Sequence, residues 1–184
     1  MEPATLSLVL EPSAEEIHEP EYSAYVPLVR FEAFLAAQRL FGWVRLDAHR
    51  LTDLLNSHDL VRLTNVLVEE SRDGATVLTD ETLIPRSEIV AVVASGPRGD
   101  PSRRVETRAH PVVIESGIYR VGGLVHVPPG VNPADRIWRG DPMVPLTDAW
   151  LEYPWGDRDR RDVHATVIVN CRTAGALEVI RAPN

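Results

Sequence analysis

The chain of 184 residues carries an internal similarity, and that similarity constrains its fold more than any single motif does. The segment Arg39-Leu40-Phe41-Gly42-Trp43-Val44-Arg45-Leu46 lines up with Arg120-Val121-Gly122-Gly123-Leu124-Val125-His126-Val127. Leu60 to Glu69 lines up with Met143 to Glu152, and Ile89-Val90-Ala91-Val92-Val93 with Ala176-Leu177-Glu178-Val179-Ile180. Order is kept while the offset grows from 81 to 83 to 87 residues, as a duplicated module with loop insertions would show. Units of about 65–70 residues are only marginally stable alone, so two of them should pack on each other.

The similarity also decides a local ambiguity. Phe31-Glu32-Ala33-Phe34-Leu35-Ala36-Ala37-Gln38 by itself reads as an amphipathic helix. Its counterpart, Val112-Val113-Ile114-Glu115-Ser116-Gly117-Ile118-Tyr119, is β-branched and interrupted by Gly, which reads as a strand. Equivalent segments share a fold, so both are expected to be strands. Leu40, Gly42, Val44 and Leu46 then share one face, as do Val121, Gly123, Val125 and Val127, and that face is the natural core. Gly42 and Gly123 predict a sharp bend or a close backbone approach. Each unit reads as two strands, a loop with a short helical turn, and three more strands. The turn falls on Leu51–Asn56 in the first copy, and the second replaces it with Pro128–Pro133 followed by Ala134–Trp138. The expectation is an all-β chain of two tandem five-stranded small β-barrel-like modules, residues 30–94 and 112–181, packed on each other. A Gly/Pro/Arg linker joins them over 95–111.

Charge is distributed unevenly. There are 27 acidic and 19 basic residues, for a net charge of −8. Residues 1–29 hold six Glu and no Arg, which leaves 21 acidic residues against 19 Arg elsewhere. Pro3, Pro12, Pro20 and Pro27 exclude a long helix there, so this stretch reads as an acidic arm. Leu6, Leu8 and Leu10 alternate as a strand would, and suit addition to a sheet edge. The acidic balance argues against nucleic acid as a partner, although an Arg-only, near-neutral body leaves room for a local basic patch. No apolar run reaches the roughly 20 residues of a membrane helix, so no membrane insertion is expected. The N-terminus does not read as a signal peptide, which points to a cytoplasmic protein. All the basic residues are Arg, so Schiff-base and P-loop lysine chemistry are excluded.

The pattern Arg120-x-x-Gly123-x-Val125-His126-Val127-Pro128-Pro129-Gly130, with Arg50-Leu51-Thr52-Asp53-Leu54-Leu55-Asn56 in the other copy, resembles an uncharacterised family of small bacterial β domains in tandem. The resemblance spans most of residues 28–181 and implies a bacterial protein, with no activity to carry over. The five-stranded layout is similar to Sm-like small barrels in topology, which does not fix function.

Individual residues offer little chemistry. Cys171, the only thiol, aligns with the apolar Ile84 and reads as a buried structural residue rather than a nucleophile. The six His residues lack zinc-motif spacing, and His126 has no companion ligand for a cupin-type metal site. Arg104 and Arg108 match the first half of a cyclic-dinucleotide-binding pattern whose second half is absent, which makes them candidates for an anionic ligand. Arg39 and Glu69 are expected to pair across strands. Asp53 and Asp135 are expected to organise loop turns. The run from Trp155 to Asp162 alternates in charge and reads as a solvated hairpin loop.

What remains is surface. Phe41, Trp43 and Leu124 lie opposite the inferred core face, with Trp138, Trp150 and Trp155 near them in sequence. Aromatics beyond the needs of one face either bury a module–module interface, the favoured reading, or make a binding patch; with Leu6, Leu8 and Leu10, these are the candidate interface residues. The reading is a non-enzymatic protein, without catalytic, cofactor or metal residues, acting through protein contacts or self-assembly. The acidic arm is its docking element. Ligand sensing through Arg104 and Arg108 is the alternative.

Overall fold

A computed structural model describes residues 26–97 and 105–180. Ten strands alternate with two short helices: β1 Leu28–Leu35, β2 Gln38–Arg45, α1 Leu51–Ser57, β3 Leu60–Glu70, β4 Thr76–Pro85, β5 Ile89–Val93, β6 Arg108–Ser116, β7 Tyr119–Val127, α2 Pro133–Arg139, β8 Met143–Trp155, β9 Arg158–Asn170 and β10 Ala176–Val179. The chain is all-β, as its β-branched runs require. Phe31–Leu35, helical by local pattern, lies within β1, because tertiary pairing overrides a helix propensity worth a few tenths of a kcal/mol per residue. β1 begins inside the expected arm, and β6 begins inside the expected linker.

All strands join one antiparallel sheet, in the order β10-β6-β7-β8-β9-β5-β1-β2-β3-β4. Five neighbours run β5-β1-β2-β3-β4, and the other five run β10-β6-β7-β8-β9. The sheet is open and does not close into barrels. The reason lies in β5: one of its edges pairs with β1 and the other with β9, so its second edge is not left for β4.

The close backbone approach expected at the two glycines is present, at a shift of register in each ladder. Between Phe41↔Leu67 and Trp43↔Thr64, the single Gly42 faces two residues, Asn65 and Val66. Between Gly122↔Trp150 and Leu124↔Thr147, the single Gly123 faces Asp148 and Ala149. Asn65 and Asp148 take φ of 48° and 47°, the left-handed region that Asn and Asp enter at least cost among residues with a side chain. Added Cβ atoms would meet Thr64 O at 3.2 Å from Gly42 and Thr147 O at 2.9 Å from Gly123. Each bulge therefore needs a glycine on one strand and a short polar side chain on the other.

The apolar faces form two cores that exchange residues. The first holds Phe31, Leu40, Val44, Leu55 and Leu63, and also Met143 and Ile168 from the second half. The second holds Val121, Val125, Ile137, Leu146 and Val167, and also Phe34, Val90 and Ala91 from the first. Three interdigitating aromatic rings mark the seam: Phe34 meets Tyr119 at 5.9 Å and Tyr153 at 5.2 Å, both edge-on.

The ladders also revise the expected alignment. Val61↔Ile84 in β3–β4 corresponds to Val144↔Val169 in β8–β9, so Cys171 matches Arg86 rather than Ile84. Likewise Ala91, not Ile89, stands where Ala176 stands, because Phe34↔Ala91 corresponds to Glu115↔Ala176.

Candidate interaction surface

Three groups of contacts hold the halves together, and they define what a docked strand looks like in this protein. The first is the ladder Ala91↔Val169, Val92↔Ile168 and Val93↔Val167, continued by Ala94 N donating to Thr166 O at 3.0 Å. The second is two asparagine clamps. Asn56 accepts from Met143 N at 2.9 Å and donates to Met143 O at 3.0 Å. The buried Asn170 donates to Arg86 O at 3.0 Å and Ile89 O at 2.9 Å. The third is at the far end, where Tyr119 donates to Leu35 O at 2.6 Å and Gly156 N to Ser71 O at 3.0 Å.

The sheet ends on β4 and β10. β4 has ten residues, and Val77, Leu78 and Leu83 are all more than half exposed. Leu60, beside it on β3, is 57% exposed. Lone apolar side chains on a surface are ordinary, but a run of them along an unpaired strand is a template for pairing. β10 is short, with Ile180 exposed just beyond it.

The expected interface aromatics do not form one patch. Phe41 is buried, because the Arg39 guanidinium lies over its ring at 4.5 Å. Trp43 is half-buried and lines a cleft of about 200 Å³ with Arg30, Phe31, Glu32, Phe41, Val93 and Ser95. Trp150 lies under Arg161 at 4.5 Å and Arg120 at 5.7 Å, packed against Gly122. Trp155 stands edge-on to Tyr153 at 6.0 Å, with Arg160 over it at 5.6 Å. Leu124 is half-buried, and Trp138 alone among them is exposed, at 40%. Leu6, Leu8, Leu10 and Arg104 lie outside the described residues. Arg108 is exposed on β6 opposite Val127 and lines none of the clefts described here.

Arg39 does not pair with Glu69, its ladder neighbour. It turns to Glu32 on the other side, with Nη2 2.6 Å from Oε1. Burial alone would lower the Arg39 pKa, but the Glu32 carboxylate outweighs it, so the guanidinium is held above its usual value. In the matching place Arg120 does meet Glu152, at 3.7 Å. Asp53 binds Arg50 at the start of α1, while α2 is capped by Asn132, which accepts from Ala134 N at 2.9 Å; Asp135 faces Arg139 instead. Both helices end on an arginine. Arg86 donates to Leu55 O and Asn56 O, and Arg172 to Trp138 O and Gly140 O, where a cation meets the carbonyl end of the helix.

Cys171 is buried, and desolvation pushes its thiol up to about 12, which keeps it a thiol at neutral pH. His126 is exposed, its Nε2 2.8 Å from Thr147 Oγ1. A larger cleft of about 560 Å³ lies between the β1–β2 turn (Ala36, Ala37) and the β6–β7 turn (Gly117, Ile118). Its serines and Tyr119 have no histidine beside them to act as a base. Among the described residues no three His, Cys, Asp or Glu side chains converge to hold a metal, and no helix is long and apolar enough to cross a membrane.

No family model matches the chain, and neither a curated protein nor a solved structure matches it.

Proposed function

We propose that this chain is a non-enzymatic protein-interaction module, built from two duplicated five-stranded units, that binds partners along the open edges of its sheet. The observation that carries the reading is β4, a ten-residue terminal strand exposing Val77, Leu78 and Leu83. Against edge pairing it sets Asp80, Glu81 and the terminal Pro85, and Glu81 is already engaged by Arg62 at 3.5 Å. Duplication is supported by the matching strand order and by the paired bulges at Gly42 and Gly123. The acidic arm, residues 1–29, supplies a second docking element: its alternating Leu6, Leu8 and Leu10 suit strand addition.

Affinity capture and sedimentation of the full chain test this. The wild type should form a complex, with itself or with another protein, that Leu83→Lys loses and a substitution at a remote exposed site such as Glu106→Gln keeps. Complexes retained by Leu83→Lys, or no complex with either chain, would overturn the reading.

A further inference from the structure

We propose that the partner of the β4 edge is the β10 edge of a second copy of this chain, docked in the register of the internal β5–β9 junction, so that copies join head to tail. The inference rests on the edge-docking reading above and gives that edge its occupant.

The two hairpins β3–β4 and β8–β9 carry the same ladder. Each is closed by the same bond, Arg86 N to Asp59 O at 2.8 Å and Cys171 N to Pro142 O at 2.7 Å. Arg62↔Leu83 therefore corresponds to Pro145↔Ile168, and Leu60↔Pro85 to Met143↔Asn170. Ile168 and Met143 are wholly buried, because they enter the core of the first half. Their counterparts Leu83 and Leu60 are 52% and 57% exposed. The free edge thus presents two leucines at the positions that the internal junction buries.

The opposite edge matches. Ala176, Leu177 and Glu178 on β10 stand where Ala91, Val92 and Val93 stand on β5. In the helices, Gly140 N→Arg136 O corresponds to His58 N→Leu54 O, which places Trp138 where Asn56 clamps Met143. Transferring the junction from one copy to the next sets Leu177 against Leu83, Glu178 opposite Thr82, Ala176 opposite Ile84, and Trp138 beside Leu60.

The backbone groups agree as well. Arg86 N bonds inward to β3, so by the alternation of an antiparallel ladder Leu83 and Glu81 direct their groups outward. Ile180 N bonds inward to Pro111 O at 2.9 Å, so Leu177 and Val179 direct theirs outward. Leu83 then pairs with Leu177 and Glu81 with Val179, just as Thr166 pairs with Ala94 inside the chain. Such a contact uses a different surface on each copy and leaves one edge of each kind free, so it propagates to a ring or a filament.

Thr82 and Glu178 would form a non-hydrogen-bonded pair, whose Cα separation of about 4.5 Å admits a disulfide. Full-length Thr82→Cys/Glu178→Cys should oxidise to disulfide-linked multimers. Thr82→Cys/Leu177→Cys and Thr82→Cys/Val179→Cys, one residue out of register, should remain unlinked. Light scattering of the wild type should give more than one chain, and Leu83→Lys or Leu60→Glu should weaken that association about tenfold or more, since each sets a charge against an apolar core. Both leucines are exposed in the single chain, so these variants fold. A single-chain mass with no 82–178 disulfide would overturn the second-copy assignment and leave the edge reading to the capture experiment. A multimer indifferent to Leu83→Lys and unlinked at 82–178 would overturn both. A single-chain mass with a slowly exchanging Leu83 amide that Leu8→Lys sets free would give the edge to the N-terminal arm and refute the second copy.

Discussion

Asn56→Ala should loosen the seam between the two halves by more than its half-buried position suggests. Its side chain both accepts from Met143 N and donates to Met143 O. Those groups have no strand to turn to. The Cys171 N–Pro142 O bond fixes the β8–β9 alternation so that Met143 faces away from β9, and the β7–β8 ladder stops at Leu146. Met143 itself is wholly buried. Leaving a buried donor or acceptor unpaired costs about 1–3 kcal/mol each, and partial access of water at the half-buried Asn56 favours the lower end, so the pair is worth about 2–4 kcal/mol. For a chain of this size that corresponds to a fall in melting temperature of about 5–15 °C. Urea unfolding followed by far-ultraviolet circular dichroism and by tryptophan fluorescence measures it. The two probes should stay coincident, because Met143 and Ile168 tie the second half into the first core. A loss under about 0.5 kcal/mol, the level of an ordinary surface change, would refute the clamp, and separate transitions for the two probes would refute the shared core.

Other outcomes follow from the same structure. Cys171 is raised from 9.0 to about 12 by burial, and Tyr119 and Tyr153 are raised above 10.0, also chiefly by burial. The unfolded chain releases these protons first, so stability is intact below pH 9 and declines as pH rises toward 12, by up to about 1.4 kcal/mol per pH unit for each proton. Cys171→Ala should flatten the lower part of that decline in alkaline melts; an unchanged profile would contradict it. Gly122→Ala should cost about 1–3 kcal/mol in chemical denaturation, because its Cβ would overlap the Trp150 indole held under Arg120 and Arg161. Arg39→Leu leaves Glu32 half-buried without its partner and should cost about 1–3 kcal/mol, whereas Arg39→Leu with Glu32→Leu should recover part of that; a double-mutant cycle with no coupling would refute the pair.

Much of the fold is legible in the sequence, and its failures have physical causes. Gly42 and Gly123 announce the bulges, since only a residue without a side chain tolerates the carbonyls of Thr64 and Thr147 so close. The strand nature of Phe31–Leu35 is recovered from its β-branched counterpart. In the ladders Cys171 occupies the position of Arg86, two residues from Ile84, and a slip of two keeps every side chain on its own face, so hydrophobic alternation cannot detect it. The open sheet is not legible either. A strand offers the same backbone groups on both edges, so nothing in the sequence of β5 says whether β4 or β9 will take the second. The surface aromatics read as an interface because strand alternation shows only that they lie off the core face, not what covers them. Arginines over Phe41, Trp150 and Trp155 cover them instead, and the exposed apolar residues that matter, Leu60 and Leu83, look like ordinary strand leucines. Their signal was a mismatch: apolar residues at positions that correspond to a buried seam.

The central claim is that the outer edge of β4 docks the β10 edge of a second copy of this chain, and amide exchange along β4 in the full chain tests it most directly. Thr82 and Ile84 point their amides to β3 and should exchange slowly at every concentration. Glu81 and Leu83 should exchange fast in dilute solution and slow as concentration rises, with Leu177 and Val179 on β10 slowing in step. Glu81 and Leu83 amides that stay fast at every concentration would contradict the account.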